Sequence, residues 1–571
     1  MAGHSTRSTP TLSKSPMASR DGKRTPLVII VGAGLAGIST AIALRRQLQF
    51  ENFIIYEKAD DVGGTWRDNT YPGCGSDVPG HWYSLSTDLN PYWSTYYISQ
   101  PEIQAYWVEL WHKYGLKSRT KLGHAVRSAE WDTRRQLYKI QVEKVATGEV
   151  FETEAEVMFY AIGGFMSPVY PKDVAGVEVF HGDAWHSARW NHNVDLKGKR
   201  VGVIGNGCSA AQFVPEIAAE PSISVVNFVR TPQWYVPREN FKYPRWLQWV
   251  FAHVPFVMRC YRNLIMARSD LMFLIFRKSN KRILALTRRM FAAYIKKVAP
   301  KDQLEKLIPT YSPGCKRIIV DPGYLKCLHQ PNVNLRWEGI DSIVEEGIKL
   351  KTGEIVPLDV IIFGTGYSLE PADITIRGRK GKTMREYDNE HGGAAAYAGS
   401  CRPGFPNLFT LLGPNVASGH ASVIFSEEAQ VKKRSGQIRD VLLTVALQIN
   451  HALQLIKPIL DGQAKSFEVK EDVCDEYDGW VQKRLKTSVW MECNSYYQVG
   501  GNNETKNVAT FPGPVSLFWW LIRTPDWSKF DGVGKEEWER VRRMETLRRV
   551  GLVGMGLALA MSMRILGSKF K

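Results

Sequence analysis

Two stretches of this chain are built alike: an apolar run stops at a cluster of glycines and passes straight into a helical pattern. In the first, Pro26-Leu27-Val28-Ile29-Ile30-Val31 enters Gly32-Ala33-Gly34-Leu35-Ala36-Gly37, and the helical pattern continues through Leu48. In the second, Val201-Gly202-Val203-Ile204 enters Gly205-Asn206-Gly207-Cys208-Ser209-Ala210. Strand, tight turn and helix in that order let the backbone come close to a pyrophosphate, whose charge then sits at the positive helix N-terminus. One such loop alone is a weak signal, because a structural glycine turn reads the same way.

The residues behind each loop sharpen the reading. Phe53-Ile54-Ile55-Tyr56 reads as a second strand and ends in Glu57, twenty residues after Gly37. A carboxylate there accepts hydrogen bonds from ribose hydroxyls and repels a 2′-phosphate, which suits FAD or NAD. Behind the second loop, Val225-Val226-Asn227-Phe228-Val229 ends in Arg230 instead. A guanidinium suits a 2′-phosphate, so this site is expected to take NADPH, unless Arg230 is an ordinary surface charge.

The expected fold is α/β, with two Rossmann-like dinucleotide-binding domains. The NADPH domain is inserted in the FAD domain, and a helical subdomain accompanies them. A chain of 571 residues is too long for one core. It divides into a disordered leader over 1–26, an FAD-binding domain over 27–165 and 367–540, an NADPH-binding domain over 166–366 with a helical insertion at about 238–310, and an apolar tail over 541–571. The formal charge of +17 admits nucleic acid, a membrane surface or anionic cofactors. No nucleic-acid recognition module is visible, so anionic cofactors and a membrane surface are favoured. The eight cysteines contain no C-x-x-C pair, which reads as reduced thiols in an intracellular protein and excludes a zinc site. No metal is expected.

Between the loops lie segments whose residue types suggest binding work. Gly63-Gly64-Thr65-Trp66 through Asp77 is dense in glycine, proline and aromatics, like an ordered loop packed on a planar ligand. Phe180-His181-Gly182 through His186 to Trp190 spaces a histidine between aromatic anchors and could join the two nucleotide sites; a buried linker is the plainer reading. Ala161-Ile162-Gly163-Gly164 reads as a crossover into the second domain, and Val360 to Tyr367 as the return. Residues 240–300 are helical in pattern, rich in Trp, Phe, Met and Arg, and could wall an apolar cavity or rest on a membrane, with ordinary helix packing the safest reading. Val550 to Met563 is apolar, flanked by Arg548-Arg549 and Arg564, and shorter than the roughly 20 residues that span a bilayer. Disulfide reductases share the two loops, but they need a redox cysteine pair, and Cys74 stands alone.

These segments together resemble the class B flavin monooxygenases, of the Baeyer–Villiger type, over roughly residues 27–525. Gly63 to Asp77 matches the family pattern [A/G]-G-x-W-x-x-x-x-[F/Y]-P-[G/M]-x-x-x-D. Phe180 to Trp190 matches its fingerprint, with Asn191 where Pro or Asp is usual, and Trp190 sets the chain apart from N- and S-oxidising relatives. Trp490 and Asn494-Ser495-Tyr496-Tyr497 resemble fungal members of secondary metabolism. The resemblance implies that NADPH reduces FAD, that O2 adds to the flavin, and that the resulting peroxide attacks a small apolar ketone to give an ester or lactone. Arg317, of the pair Lys316-Arg317, would lie over the flavin, Asp77 would orient it, and His186 would couple NADPH binding to domain position without donating a proton. Further cofactor-binding positions implied are Gly32, Gly34, Gly37, Glu57, Thr65, Trp66, Asp68, Asp77, Val78 and Tyr83, then Gly205, Asn206, Gly207, Ser209, Ala210, Arg230, Thr231 and Lys316. A hydroxylating or N/S-oxidising monooxygenase and an inactive nucleotide-binding homologue are the alternatives. The expected location is intracellular, cytoplasmic or held at a membrane through 550–566.

One stretch breaks the family pattern. Glu428-Ala429-Gln430 should run directly into Ile449-Asn450-His451-Ala452-Leu453-Gln454, but Val431 to Gln448 intervenes. The insert begins with Val, whose codons start GU, and ends with Gln, which CAG encodes. Those are intron termini, so an unspliced intron is expected, and the mature transcript is the test.

Overall fold

The computed structural model describes residues 25–171, 173–369, 374–417, 419, 422 and 448–544. The expectations for residues 1–24, 431–447 and 550–566 lie outside them.

The first apolar run is strand β1 (Val28–Val31), buried at every position. Its alternation is hidden because both faces are covered, as in parallel sheets generally. Val28 and Ile30 pack toward helix α1 (Leu35–Leu48). Ile29 and Val31 pack against β4 (His124–Asp132) and β5 (Leu137–Lys144), which with β6 (Glu149–Ala155) form an antiparallel layer. β2 (Phe53–Tyr56) lies parallel to β1, with β3 (Thr120–Lys121) outside it and β7 (Val157–Tyr160) on the other side.

After β7 the chain crosses into a second parallel sheet. It comprises β8 (Asp183–His186), β9 (Arg200–Ile204), β10 (Ser224–Phe228), β13 (Val333–Arg336) and β14 (Val360–Phe363), in the order β13-β10-β9-β14-β8. Helix α3 (Cys208–Ala218) follows its glycine loop. A small parallel pair, β11 (Tyr235–Pro237) and β12 (Ile319–Asp321), brackets three long helices: α4 (Arg245–His253), α5 (Val257–Leu271) and α6 (Lys281–Val298). The chain then returns to add β15 (Leu408–Thr410) beside β7 in the first sheet. One dinucleotide fold is thus nested inside the other, with helices α7 (Gln448–Leu460) and α8 (Val515–Ile522) following, α7 against α1.

Two sequence expectations change. Val360–Phe363 is not the return crossover but an inner strand of the inserted sheet, flanked by β9 and β8. The return begins at Gly364, and Tyr367-Ser368 pairs antiparallel with Ser167-Pro168 of the outward crossing. The reduced-thiol expectation also fails for one pair: Cys315 and Cys493 are joined at an S–S distance of 2.06 Å. They stand 178 residues apart, a separation that no spacing rule reads. The other six cysteines are free.

Candidate active site

Each glycine of the first loop has its own geometric reason. Gly32 has φ of +103°, a left-handed conformation that side chains resist. Gly37 has ordinary backbone, but an added Cβ would stand 1.9 Å from the Gly32 carbonyl oxygen, so it allows the helix to sit on the turn. Gly34 caps α1 with no side-chain hydrogen bond, which leaves the first-turn N–H groups directed outward. Glu57, just past β2, is buried and turned toward this loop: one oxygen accepts the Ala33 N–H at 2.7 Å. Its other oxygen accepts Ala59 N–H at 3.0 Å and faces Arg67 at 3.4 Å.

The Gly63–Asp77 segment lies between the two folds. Gly64 meets Gly34 so closely that an added Cβ would be 3.0 Å from the Gly34 Cα. The turn α2 (Thr65–Asp68) follows, and Trp66 Nε1 donates to Tyr83 Oη at 3.0 Å. Asp68 faces Arg189 at 3.7 Å, and the Val78 N–H donates to Ser76 Oγ at 3.0 Å. From the other side, Tyr71 Oη donates to Gln212 of α3 at 2.9 Å, and Gln212 Nε2 donates to the Gly75 carbonyl at 3.0 Å. An ordered loop held by both folds is what its glycine, proline and aromatic content requires.

The second loop repeats the first with one substitution. Gly205 has φ of +107°, and its added Cβ would meet the Gly364 carbonyl at 2.6 Å. Ala210 replaces the third glycine because it faces Gly364, which has no side chain. Around Gly207 an added Cβ would meet nothing within 4 Å. Asn206 Nδ2 donates to the Thr231 carbonyl at 3.1 Å, tying the loop to the segment after β10. Ser209 lies beside the Tyr71 hydroxyl. Arg230 is exposed past the end of β10. Lys316 is close enough that, after burial, the Arg230 charge helps depress its pKa.

Arg317 and Asp77, 240 residues apart, meet in space. Arg317 Nε and Nη2 donate to Asp77 Oδ2 at 3.0 and 2.7 Å. The Asp77 charge, working against burial, raises the Arg317 pKa, so the guanidinium is permanently cationic. Arg317 Nη1 also donates to the Gly419 carbonyl at 3.4 Å, and Tyr496 and Tyr497 lie within electrostatic reach. Cys208, beside this pair, is a protonated thiol because burial pushes its pKa up to about 12. The disulfide fastens the residue next to the Lys316-Arg317 pair to the strand of chain that carries both tyrosines. Sequence reasoning missed this bridge and Gly419, since each is brought to the site only by long-range folding.

The His186 segment is not a free linker. Asp183–His186 is the edge strand β8, with His186 opposite Phe363. His186 is buried, and its Nδ1 accepts the Ala188 N–H at 3.1 Å. Burial lowers its pKa to about 4, so it is neutral at physiological pH. Tyr170 and Tyr367 lie edge-on to the ring at 5.7 and 5.9 Å. Tyr367 Oη in turn donates to Asn69, whose Nδ2 donates to the Thr65 carbonyl at 2.9 Å. A chain of contacts therefore runs from the inserted fold to the α2 turn.

Residues 30–97 match a family described as NAD(P)-binding Rossmann-like domain, and residues 92–246 match one described as L-lysine 6-monooxygenase/L-ornithine 5-monooxygenase. A Baeyer–Villiger monooxygenase of Pseudomonas aeruginosa is 34% identical over 525 residues, covering 90% of this chain and 92% of that protein. This chain belongs to the Baeyer–Villiger monooxygenase family. The FAD-binding monooxygenase ktnD of Aspergillus niger is 31% identical over 94% of this chain and 87% of its own length. A closed crystal structure of cyclohexanone monooxygenase shares the fold, with a TM-score of 0.74, 23% identity, and coverage of 89% of this chain and 99% of that one. Baeyer–Villiger monooxygenases are flavoprotein oxidoreductases that use FAD and NADPH, and the residues present here fit both groups. The uncapped N-terminus of α1 suits FAD, while the open space at Gly207 and the neighbouring cations Arg230 and Lys316 suit NADPH.

Proposed function

We propose that this monooxygenase inserts one oxygen atom from O2 beside the carbonyl of a small apolar ketone, giving an ester or lactone in secondary metabolism. The observation that carries the reading is the Asp77-held Arg317 at the meeting point of the two nucleotide folds. Reduced FAD supplies the activation of O2 when bound. Arg317 holds a fixed positive charge where negative charge develops, and a preorganised cation of this kind contributes on the order of 3 kcal/mol. Asp77 fixes the direction of the guanidinium, and His186, neutral and bonded to Ala188, positions β8 and donates no proton. Glu57 serves the FAD ribose, with Thr65, Trp66, Asp68, Val78 and Tyr83 around the flavin side. Asn206, Ser209, Ala210, Arg230, Thr231 and Lys316 serve NADPH.

Arg317→Ala is expected to keep its yellow colour and its reduction by NADPH, release hydrogen peroxide, and form no ester. Ester formation within a few-fold of the parent rules out this role for Arg317. The match of residues 92–246 to amine-hydroxylating enzymes favours a second reading, N-oxidation. Product analysis with matched ketones and amines separates the two.

We also propose that the protein is intracellular and that residues 550–566 rest on a membrane surface. Among the described residues no helix is long and apolar enough to cross a membrane. A helix of fourteen residues, the length of the run from Val550 to Met563, would reach about 21 Å, short of the roughly 30 Å hydrocarbon layer. The same soluble distribution for chains ending before and after Glu545 sinks this proposal.

A further inference from the structure

The three helices inserted between β11 and β12 turn an apolar face to solvent. Trp246, Phe256, Leu264, Leu271, Leu286 and Met290 are each 59–71% exposed. They are not scattered. On α5, Leu264 and Leu271 fall on one stripe with Ala267, and Phe256 stands at its cap. On α6, Ile283, Leu286, Met290 and Ala293 repeat at three- and four-residue steps, all exposed. Asp270 of α5 accepts the Val515 N–H at 2.6 Å, which fixes the start of α8 at the end of α5, and α8 carries exposed Trp520 with Arg523 over its ring at 5.7 Å.

The charge along α6 and the turn before it has one sign. From Leu271 through Lys301 there are nine lysines and arginines and no carboxylate. Arg282, Arg289 and Lys296 recur at seven-residue spacing along α6, beside the apolar stripe, and all are exposed. Among the described residues no carboxylate pairs with any of the three, whereas Lys278 in the preceding turn faces Glu492 at 3.9 Å. A protein partner would have to offer a large apolar and wholly acidic surface. An anionic bilayer offers both at once: acyl chains for the stripe and phosphates for the cations, with tryptophans at the boundary.

The face is connected to the site. The turn Met272–Phe276 directs Phe273 and Phe276 inward and leaves Met272 and Leu274 exposed. Phe276 stacks on Trp490 at 4.9 Å and lies against Gly314 and Gly419, the latter accepting from Arg317. Outer surface and inner wall are therefore two sides of one helical turn.

We propose that the exposed face of α4–α6, extended by Trp520, docks the enzyme on an anionic membrane surface, next to apolar substrate dissolved there. The docking is separate from the tail contact and from the reaction proposed above. The test uses full-length protein whose tail carries Leu552→Asp and Leu557→Asp, so that residues 550–566 cannot account for binding. It is sedimented with vesicles of phosphatidylcholine alone or with about one-third phosphatidylserine. Binding is expected to the phosphatidylserine vesicles and to fall sharply toward about 1 M salt. Arg282→Glu/Arg289→Glu and Leu264→Ser/Leu271→Ser are each expected to weaken it at least roughly tenfold while the protein stays yellow and oxidises a water-soluble substrate normally. Equal binding to both vesicle types overturns the proposal, as does binding that neither pair weakens. A dimer in solution that the leucine pair dissociates, without vesicle binding, assigns the face to a second copy and also overturns it.

Discussion

Glycines of the same motif have opposite jobs at the two loops, and side-chain additions separate them. At Gly37 an added Cβ runs into the Gly32 carbonyl at 1.9 Å, so Gly37→Ala forces α1 off the strand. The expected cost is about 1–3 kcal/mol or more, read as a lowered melting temperature and loss of bound FAD. At Gly207 the backbone has φ of −74° and an added Cβ meets nothing. Gly207→Ala is expected to fold, stay yellow and melt within a degree or two of the parent, yet raise the KM for NADPH roughly tenfold or more, because it fills the space to which the proposed NADPH site assigns the pyrophosphate. A variant with unchanged KM shows that the space at Gly207 is not used. The two glycine turns and the place of Glu57 beside the first were legible from sequence because each follows a strand at a fixed offset. The Arg317–Asp77 pair was reached only through family resemblance, since nothing in 240 residues of spacing implies a contact.

Elements were legible where their signal is local. β2 comes out with the expected residues, β1 starts at Val28, two residues into its expected run, and the helical stretch at 240–300 divides into three helices. The edge strand β8 was hidden, because Asp183–His186 is half exposed and its pairing partner lies 177 residues further on. Cys315–Cys493 was hidden for the same reason. Under denaturing, non-reducing conditions, alkylation is expected to label six of the eight cysteines, with mass mapping placing the missing pair at 315 and 493. Labelling of all eight removes the bridge from the description of the site. At the start of α7, Gln448 is buried, accepts the Leu412 N–H at 3.1 Å and donates to the Ala398 carbonyl at 3.0 Å. Removing 431–448 would bring Gln430 to that same helix position, so the site asks for glutamine with or without the intervening residues.

At the scale of the whole molecule, nesting was legible because each half of the first fold carries its own strand signals. The face of the helical unit was not, since exposure depends on what else packs there. Three histidines also act together at this scale. Burial lowers the pKa of His81 to about 3 and those of His186 and His451 to about 4. Unfolded, each would titrate near about 6.5, so below that pH the unfolded chain binds more protons than the native one. Stability from keeping them neutral is complete above about pH 6.5 and is lost as pH falls toward the native values. The melting temperature is expected to be level from pH 7 to 8 and to drop between pH 6.5 and 4.5. A melting temperature unchanged down to pH 5 contradicts the buried, neutral assignment.

Because Cys315 and Cys493 close a covalent ring, a protease that cuts any peptide bond between them does not divide the protein. The nicked enzyme migrates as one species on a gel until reductant is added. Its Arg317 loop and its two tyrosines also stay tethered, so cleavage inside the ring is compatible with retained turnover, whereas cleavage outside the ring shows a separate fragment on a denaturing gel without reductant.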